Sequence, residues 1–199
     1  MMKYAGIIPS LLLMLVMASC KPSPQKAEQY YDTVIAPLED VFDKEEALIV
    51  LINNKTEQLA NSPFTFQSDT VKDLVVVDTS GKHIEQAYND LISQIALSKI
   101  RLSSLKDFDK SSQLKDAALA LLNEYDVLCK NEYRALLQIL QIPPAEYSSE
   151  QEDKFMRLSD TIDYRLKEKI TMLTEELKLF SKKYNFKIQE DSVTNAVLP

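Results

Sequence analysis

The stretch from Ser149 to Tyr184, SEQEDKFMRLSDTIDYRLKEKITMLTEELKLFSKKY, decides the fold. Phe155, Leu158, Ile162, Leu166, Leu173, Leu177, Phe180 and Tyr184 recur three, four or seven residues apart, which lines them along one side of an α-helix and leaves charged residues on the other. The run opens on Ser149-Glu150-Gln151-Glu152, the spacing of a capping box in which Ser and Glu satisfy orphan amides reciprocally. Neither glycine nor proline interrupts it, so at 1.5 Å per residue the helix reaches about 54 Å. A rod that long buries its stripe only against rods of similar length.

Three further runs supply them. From Ala27 to about Ala60, Tyr31, Val34, Ile35, Leu38, Val41, Phe42, Leu48, Ile49, Ile52 and Leu59 keep helical spacing, with Pro37 inside the run as a kink or true start. From His83 to Lys106 the stripe is Ile84, Tyr88, Leu91, Ile95, Leu102 and Leu105. From Ser111 to Gln141 it is Leu114, Ala118, Leu121, Tyr125, Leu128, Ala135, Leu136 and Ile139, stopped by Pro143-Pro144. The expected fold is all-α: an antiparallel up-and-down four-helix bundle over residues 27–184, with a long irregular first connection and a mobile tail at 185–199. That connection, residues 61–82, contains Leu74-Val75-Val76-Val77, which reads as a short strand or an extra helical turn. At about twenty residues it is long for a structureless loop and is the expected place for something specific.

Composition agrees and excludes alternatives. Only Gly6 and Gly81 are glycines among 199 residues, which argues against phosphate-cradling loops, tight hairpins and sandwiches. With 23 basic and 30 acidic side chains the net charge is -7 and no basic block exists, so no nucleic-acid partner is expected.

At the N-terminus, Lys3 and the short apolar stretch Ile7 to Met17 form a leader that ends in Met17-Ala18-Ser19-Cys20. This ending resembles the bacterial lipobox, with Met17 where the family usually has Leu, Val or Ile. The resemblance implies that residues 1–19 are cleaved as a signal peptide and that Cys20 carries a diacylglycerol, the anchor to a membrane. Residues 20–26, with Pro22 and Pro24, then read as a short extended tether. Cys129 is left without a partner, and a disulfide framework is excluded. Cell-surface lipoproteins of Bacteroides-type bacteria carry acidic residues in this tether. None precedes Glu28, so the expected location is the outer membrane, on its periplasmic face.

Catalytic signatures fail at their checkable positions. Gly81-Lys82 fails as a Walker loop at Val76 and at His83. His83, the single histidine, is expected on the surface at the start of the second helix. There is no Glu-x-x-His for a di-iron centre and no Cys-x-x-Cys-His for haem, and Asp107 to Ser111 lacks the glycine and glutamate of a calcium loop. No metal or cofactor is expected, and Cys129 reads as a small buried hydrophobe.

Charged residues on the apolar lines are the informative exceptions. At 100° per residue Glu45 lies about 20° from the face centred on Leu38, Lys169 lies close to the line from Ile162 to Phe180, and Ser98 sits at similar depth. A core ion pair of Glu45 with Lys169, joined by Ser98, is expected. Glu132 lies about 20 Å away along the bundle, beside Tyr88, where a small-ligand pocket under the first connection is expected. Asp-Ser/Thr-apolar triplets at Thr33, Thr70, Thr161 and Ser192 resemble the O-glycosylation signal of Bacteroides-type envelope proteins.

As a whole the chain resembles the uncharacterised helical lipoproteins of such envelopes. The resemblance implies a membrane-tethered binding or structural module with an envelope protein partner and no catalysis. The alternative is a small-ligand sensor or carrier with its pocket near residues 61–82. An apolar patch around Leu97 and Ile100 would mark the first, and an enclosed cavity the second.

Overall fold

The computed structural model describes residues 22–61, 80–110, 113–143 and 146–188. It is an all-helical four-helix bundle, with no strand among the described residues. Helix α1 spans Pro24–Asn61, α2 Ser80–Ser104, α3 Leu114–Leu128, α4 Arg134–Leu140 and α5 Ser149–Tyr184. A π-helical turn, Cys129–Tyr133, joins α3 to α4 so that the two form one rod. None of the described helices is long and apolar enough to cross a membrane.

The stripes read from the sequence form one core. Leu38, Leu48, Leu91, Ile95, Leu102, Leu114, Leu121, Leu128 and Leu173 are all fully buried, each worth about 1.5–3 kcal/mol against exposure. α2 packs along α1 and against α3, while α3 and α4 pack against α5. The helices are antiparallel in succession, so one end of the bundle gathers the start of α1 and the end of α5. The other gathers the end of α1 with the starts of α2 and α5.

At the first end, aromatic rings close the core. Phe108, in the short α2–α3 connection, stands 5.0 Å from Tyr30, 5.4 Å from Phe180 and 4.9 Å from Tyr184. Asp109 beside it takes the Lys183 ammonium at 2.6 Å and the Tyr184 hydroxyl, fixing this loop to α5.

Element ends differ from the sequence reading by a few residues, for local reasons. α1 begins at Pro24, inside the expected tether, because Ser23 accepts the Lys26 amide at 3.3 Å and proline is well suited to a first helical turn. α2 begins at Ser80, three residues before His83. The cap of α5 is Ser148, one residue earlier than expected, with the Gln151 side chain accepting the Ser148 amide at 2.9 Å. After Asn185, which caps α5 in the left-handed conformation at φ 57°, the chain turns back onto the core. Phe186 packs 5.7 Å from Tyr31 and 5.9 Å from Phe180, and Ile188 also lies against the core. Leu74 to Val77 and the rest of 62–79 lie outside the described residues, as does the leader with Cys20.

Pro37 does not start the first helix; it sits inside α1. Ser98, fully buried on α2, donates its hydroxyl to the Pro37 carbonyl at 2.7 Å. A helical proline leaves the carbonyl four residues before it without a donor and bends the rod; the Ser98 bond goes to Pro37's own carbonyl and ties α2 to α1 at this bend. Gln94 and Arg101 extend this seam by reaching Asp40 at 3.2 and 2.9 Å.

Candidate functional site: the π turn and the cleft beside it

The π turn changes what the third rod presents. In a continuous α-helix, residues eight apart differ in direction by about 80°. A single π turn takes up one extra residue, so eight residues complete two turns and the pair shares a face. Two such pairs span this turn, each with its second member inside Cys129–Tyr133.

The first is Tyr125 and Tyr133. Both are buried, and their hydroxyls donate to the two carboxylate oxygens of Glu45 on α1, Tyr125 to Oε2 and Tyr133 to Oε1. Burial raises the Glu45 carboxyl above the usual 4.5, the two hydroxyl donors pull it back in part, and the charge of Asp163 adds to the rise. Burial and the facing glutamate hold both phenols well above the usual 10, so they stay protonated donors.

The second pair is Glu124 and Glu132. Arg165 on α5 lies between them, its Nε donating to Glu124 and its NH1 to Glu132 at 2.9 Å. The other oxygen of Glu132 is buried and has no hydrogen-bond partner among the described residues.

These contacts correct two expectations. The ion pair of Glu45 with Lys169 is not formed: Lys169 turns to its neighbour Glu168 at 3.4 Å, and Ser98 belongs to the Pro37 seam. A lysine on α5 whose side chain keeps 27% of its surface in water stays there more cheaply than it desolvates into the core, and two phenols satisfy Glu45 without a second charge. Glu132 does not accompany Tyr88, because its side chain is turned to α5 and held by Arg165.

Tyr88 does mark a concavity. Its hydroxyl donates to the Cys129 carbonyl at 2.7 Å, where the wider backbone ladder of the π turn begins. Toward this end of the bundle α2 stays on α3 but parts from α4. The opening is a cleft of about 690 Å³, with Ile84, Tyr88 and Ile92 of α2 on one wall and Arg134, Leu137 and Gln138 of α4 on the other. Lys55 of α1, Lys130 of the π turn and Gly81 complete the rim, and the space beside Gly81 is open. Asp126 on α3 holds Lys130 at 2.9 Å and Lys99 at 3.1 Å, and those two cations, Lys130 first, hold its carboxyl below the usual range.

His83 is exposed on the first turn of α2. Cys129 is buried and its thiol is pushed up to about 12, first by burial and then by the charges of Glu45 and Asp126. Among the described residues no three His, Cys, Asp or Glu side chains converge to hold a metal ion. Thr33 and Thr161 are exposed, each with its hydroxyl bonded to the carbonyl four residues earlier at 2.7 Å. Thr70, Ser192 and Cys20 lie outside the described residues.

Tyr133, Arg165 and Arg134 were not singled out from the sequence. A strict 100° step carried the third stripe past Tyr133 to Ala135. The available signal was the doubled spacing, Glu124 with Glu132 and Tyr125 with Tyr133, in which like residues repeat at eight. Comparison of the chain with protein-family models, with curated proteins and with solved structures finds no match.

Proposed function

We propose that the chain is an envelope lipoprotein, held by lipid on Cys20 at the periplasmic face of the outer membrane, and that it acts as a binding module rather than an enzyme. The observation that carries the binding reading is the cleft of about 690 Å³ where α2 parts from α4, within the size range of small-molecule sites. Its position is compatible with the tether. Cys20 precedes the start of α1 by four residues, whereas Lys55 lies about 46 Å along that helix. A lipid at Cys20 therefore leaves the cleft at the end facing away from the membrane.

The groups nearest the cleft favour holding over reacting. Cys129 is a buried neutral thiol, not the thiolate a nucleophile requires. The Tyr88 phenol is committed to a backbone carbonyl, and burial raises it above its usual value.

A second reading, docking of an envelope protein, is favoured by Leu97 and Ile100. These stand 51% and 67% exposed on the outer face of α2. N-phenyl-1-naphthylamine, an uncharged apolar fluorophore, separates the two. The cleft reading expects one bound fluorophore per chain, lost in Ile92→Glu and retained when Leu97 and Ile100 are both changed to Glu. The opposite pattern overturns it and favours the helix face. Mass analysis of protein made in its native envelope tests the tether: diacylglycerol on Cys20 with residues 1–19 gone is expected, and a lipid-free chain refutes it.

A further inference from the structure

We infer that the cleft takes a small amphiphile with an anionic head group and an apolar body. This rests on reading the cleft as the binding site and goes further by naming the ligand's chemistry. The chain as a whole is acidic, at -7, yet the charged residues that line the cleft are Lys55, Lys130 and Arg134 against Glu85 alone. A concave site whose sign opposes that of its own protein concentrates the field on a ligand of the opposite charge.

Arg134 is the residue best placed to receive the head group. It is exposed on the first turn of α4, has no ion pair among the described residues, and its charge bears on the Tyr88 hydroxyl at the cleft wall. Its guanidinium presents a fork of donors that matches a carboxylate or phosphate. Lys130 adds to it, although Asp126 already holds that ammonium, so Arg134 carries the larger share. The apolar body has its own wall. Ile84, Ile92, Leu137 and Ile142 line the same cleft, and Tyr88 is fixed in orientation by its bond to Cys129, so its ring offers a rigid face.

The test uses the whole mature chain with Cys20→Ser, so that no acyl group of its own competes. Decanoate, decylphosphate and decyltrimethylammonium, each below its micelle concentration, are titrated by calorimetry. The expected result is one site for an anionic decyl compound, with the cationic one at least about tenfold weaker. The tighter of the two anions tells whether a carboxylate or a phosphate head group is meant. Arg134→Glu weakens the anion by about tenfold, while Lys167→Glu, the same charge change on the exposed face of α5, leaves it within about twofold. Equal affinity for the cation, or an anion affinity unmoved by Arg134→Glu, overturns the inference. Naphthylamine binding that is still lost in Ile92→Glu would then leave the cleft standing as a binding site of different chemistry. Absence of naphthylamine binding as well removes both.

Discussion

Tyr125 and Tyr133, eight residues apart on one rod, place their hydroxyls on the two oxygens of the same carboxylate, Glu45. The π turn between them makes this possible, and the same turn sets Glu124 and Glu132 on either side of Arg165. One inserted residue thus ties the third rod to α1 on one side and to α5 on the other. On a third side it offers the Cys129 carbonyl to Tyr88 at the cleft.

Glu45 makes stability depend on pH. Its carboxyl is raised in the folded protein above the usual 4.5, so the folded state holds the proton more tightly than the unfolded state does. The stabilisation is complete below about 4.5 and is lost as pH rises through the elevated folded value. Glu45→Gln removes this dependence. In thermal melts from pH 4 to 8, the melting temperature of the wild type relative to Glu45→Gln falls as pH rises. A constant difference would show that the carboxylate is as well solvated folded as unfolded.

Arg165 keeps two carboxylates apart that are each only about 15% exposed. Arg165→Leu leaves Glu124 and Glu132 facing one another and costs about 1–3 kcal/mol at neutral pH. Glu124→Gln in the same background removes the repulsion and recovers part of the lost denaturant midpoint. A deficit unmoved by that second substitution would mean that only packing was lost.

Cys129 should be chemically silent while the bundle is folded. Its thiol is buried and pushed up to about 12, leaving almost no thiolate at pH 8. Alkylation by iodoacetamide at pH 8, followed by mass spectrometry, is expected only at the rate at which the core opens, and rapidly in denaturant. Fast labelling of the native chain would refute this.

The four rods were legible because apolar spacing near 3.6 survives over more than twenty residues in each. Tyr88 was tied to a pocket through its depth beside Glu132, and Tyr88 does line the cleft although Glu132 turns to Arg165. Glu45 also stood out, as a carboxylate on an apolar line. Its partner did not, because a search for opposite charge passes over tyrosines that look like ordinary core. The π turn has no propensity signature of its own. It appears in a sequence only as a slip of phase, and Tyr133, Glu132 and Arg165 were misread or missed through that one slip. The Pro37 seam hid differently: Ser98 was placed level with Glu45, but it meets Pro37, about 12 Å further along α1, and its acceptor is a backbone carbonyl, which no side-chain pattern announces.

The π turn is tested most directly by deleting Asn131 and following tyrosine ionisation with pH. The deletion removes the one extra residue: seven residues of α-helix turn by about 700°, so Tyr133 comes within about 20° of the face it holds now and stays on Glu45. In the wild type Tyr125 and Tyr133 are expected to resist ionisation well above the usual 10 until the fold is lost. The deletion variant is expected to fold and to keep this titration. Loss of stability with an additional tyrosine titrating near the usual value is what the 100° rotation from a deletion in an unbroken α-helix would give, and would contradict the account.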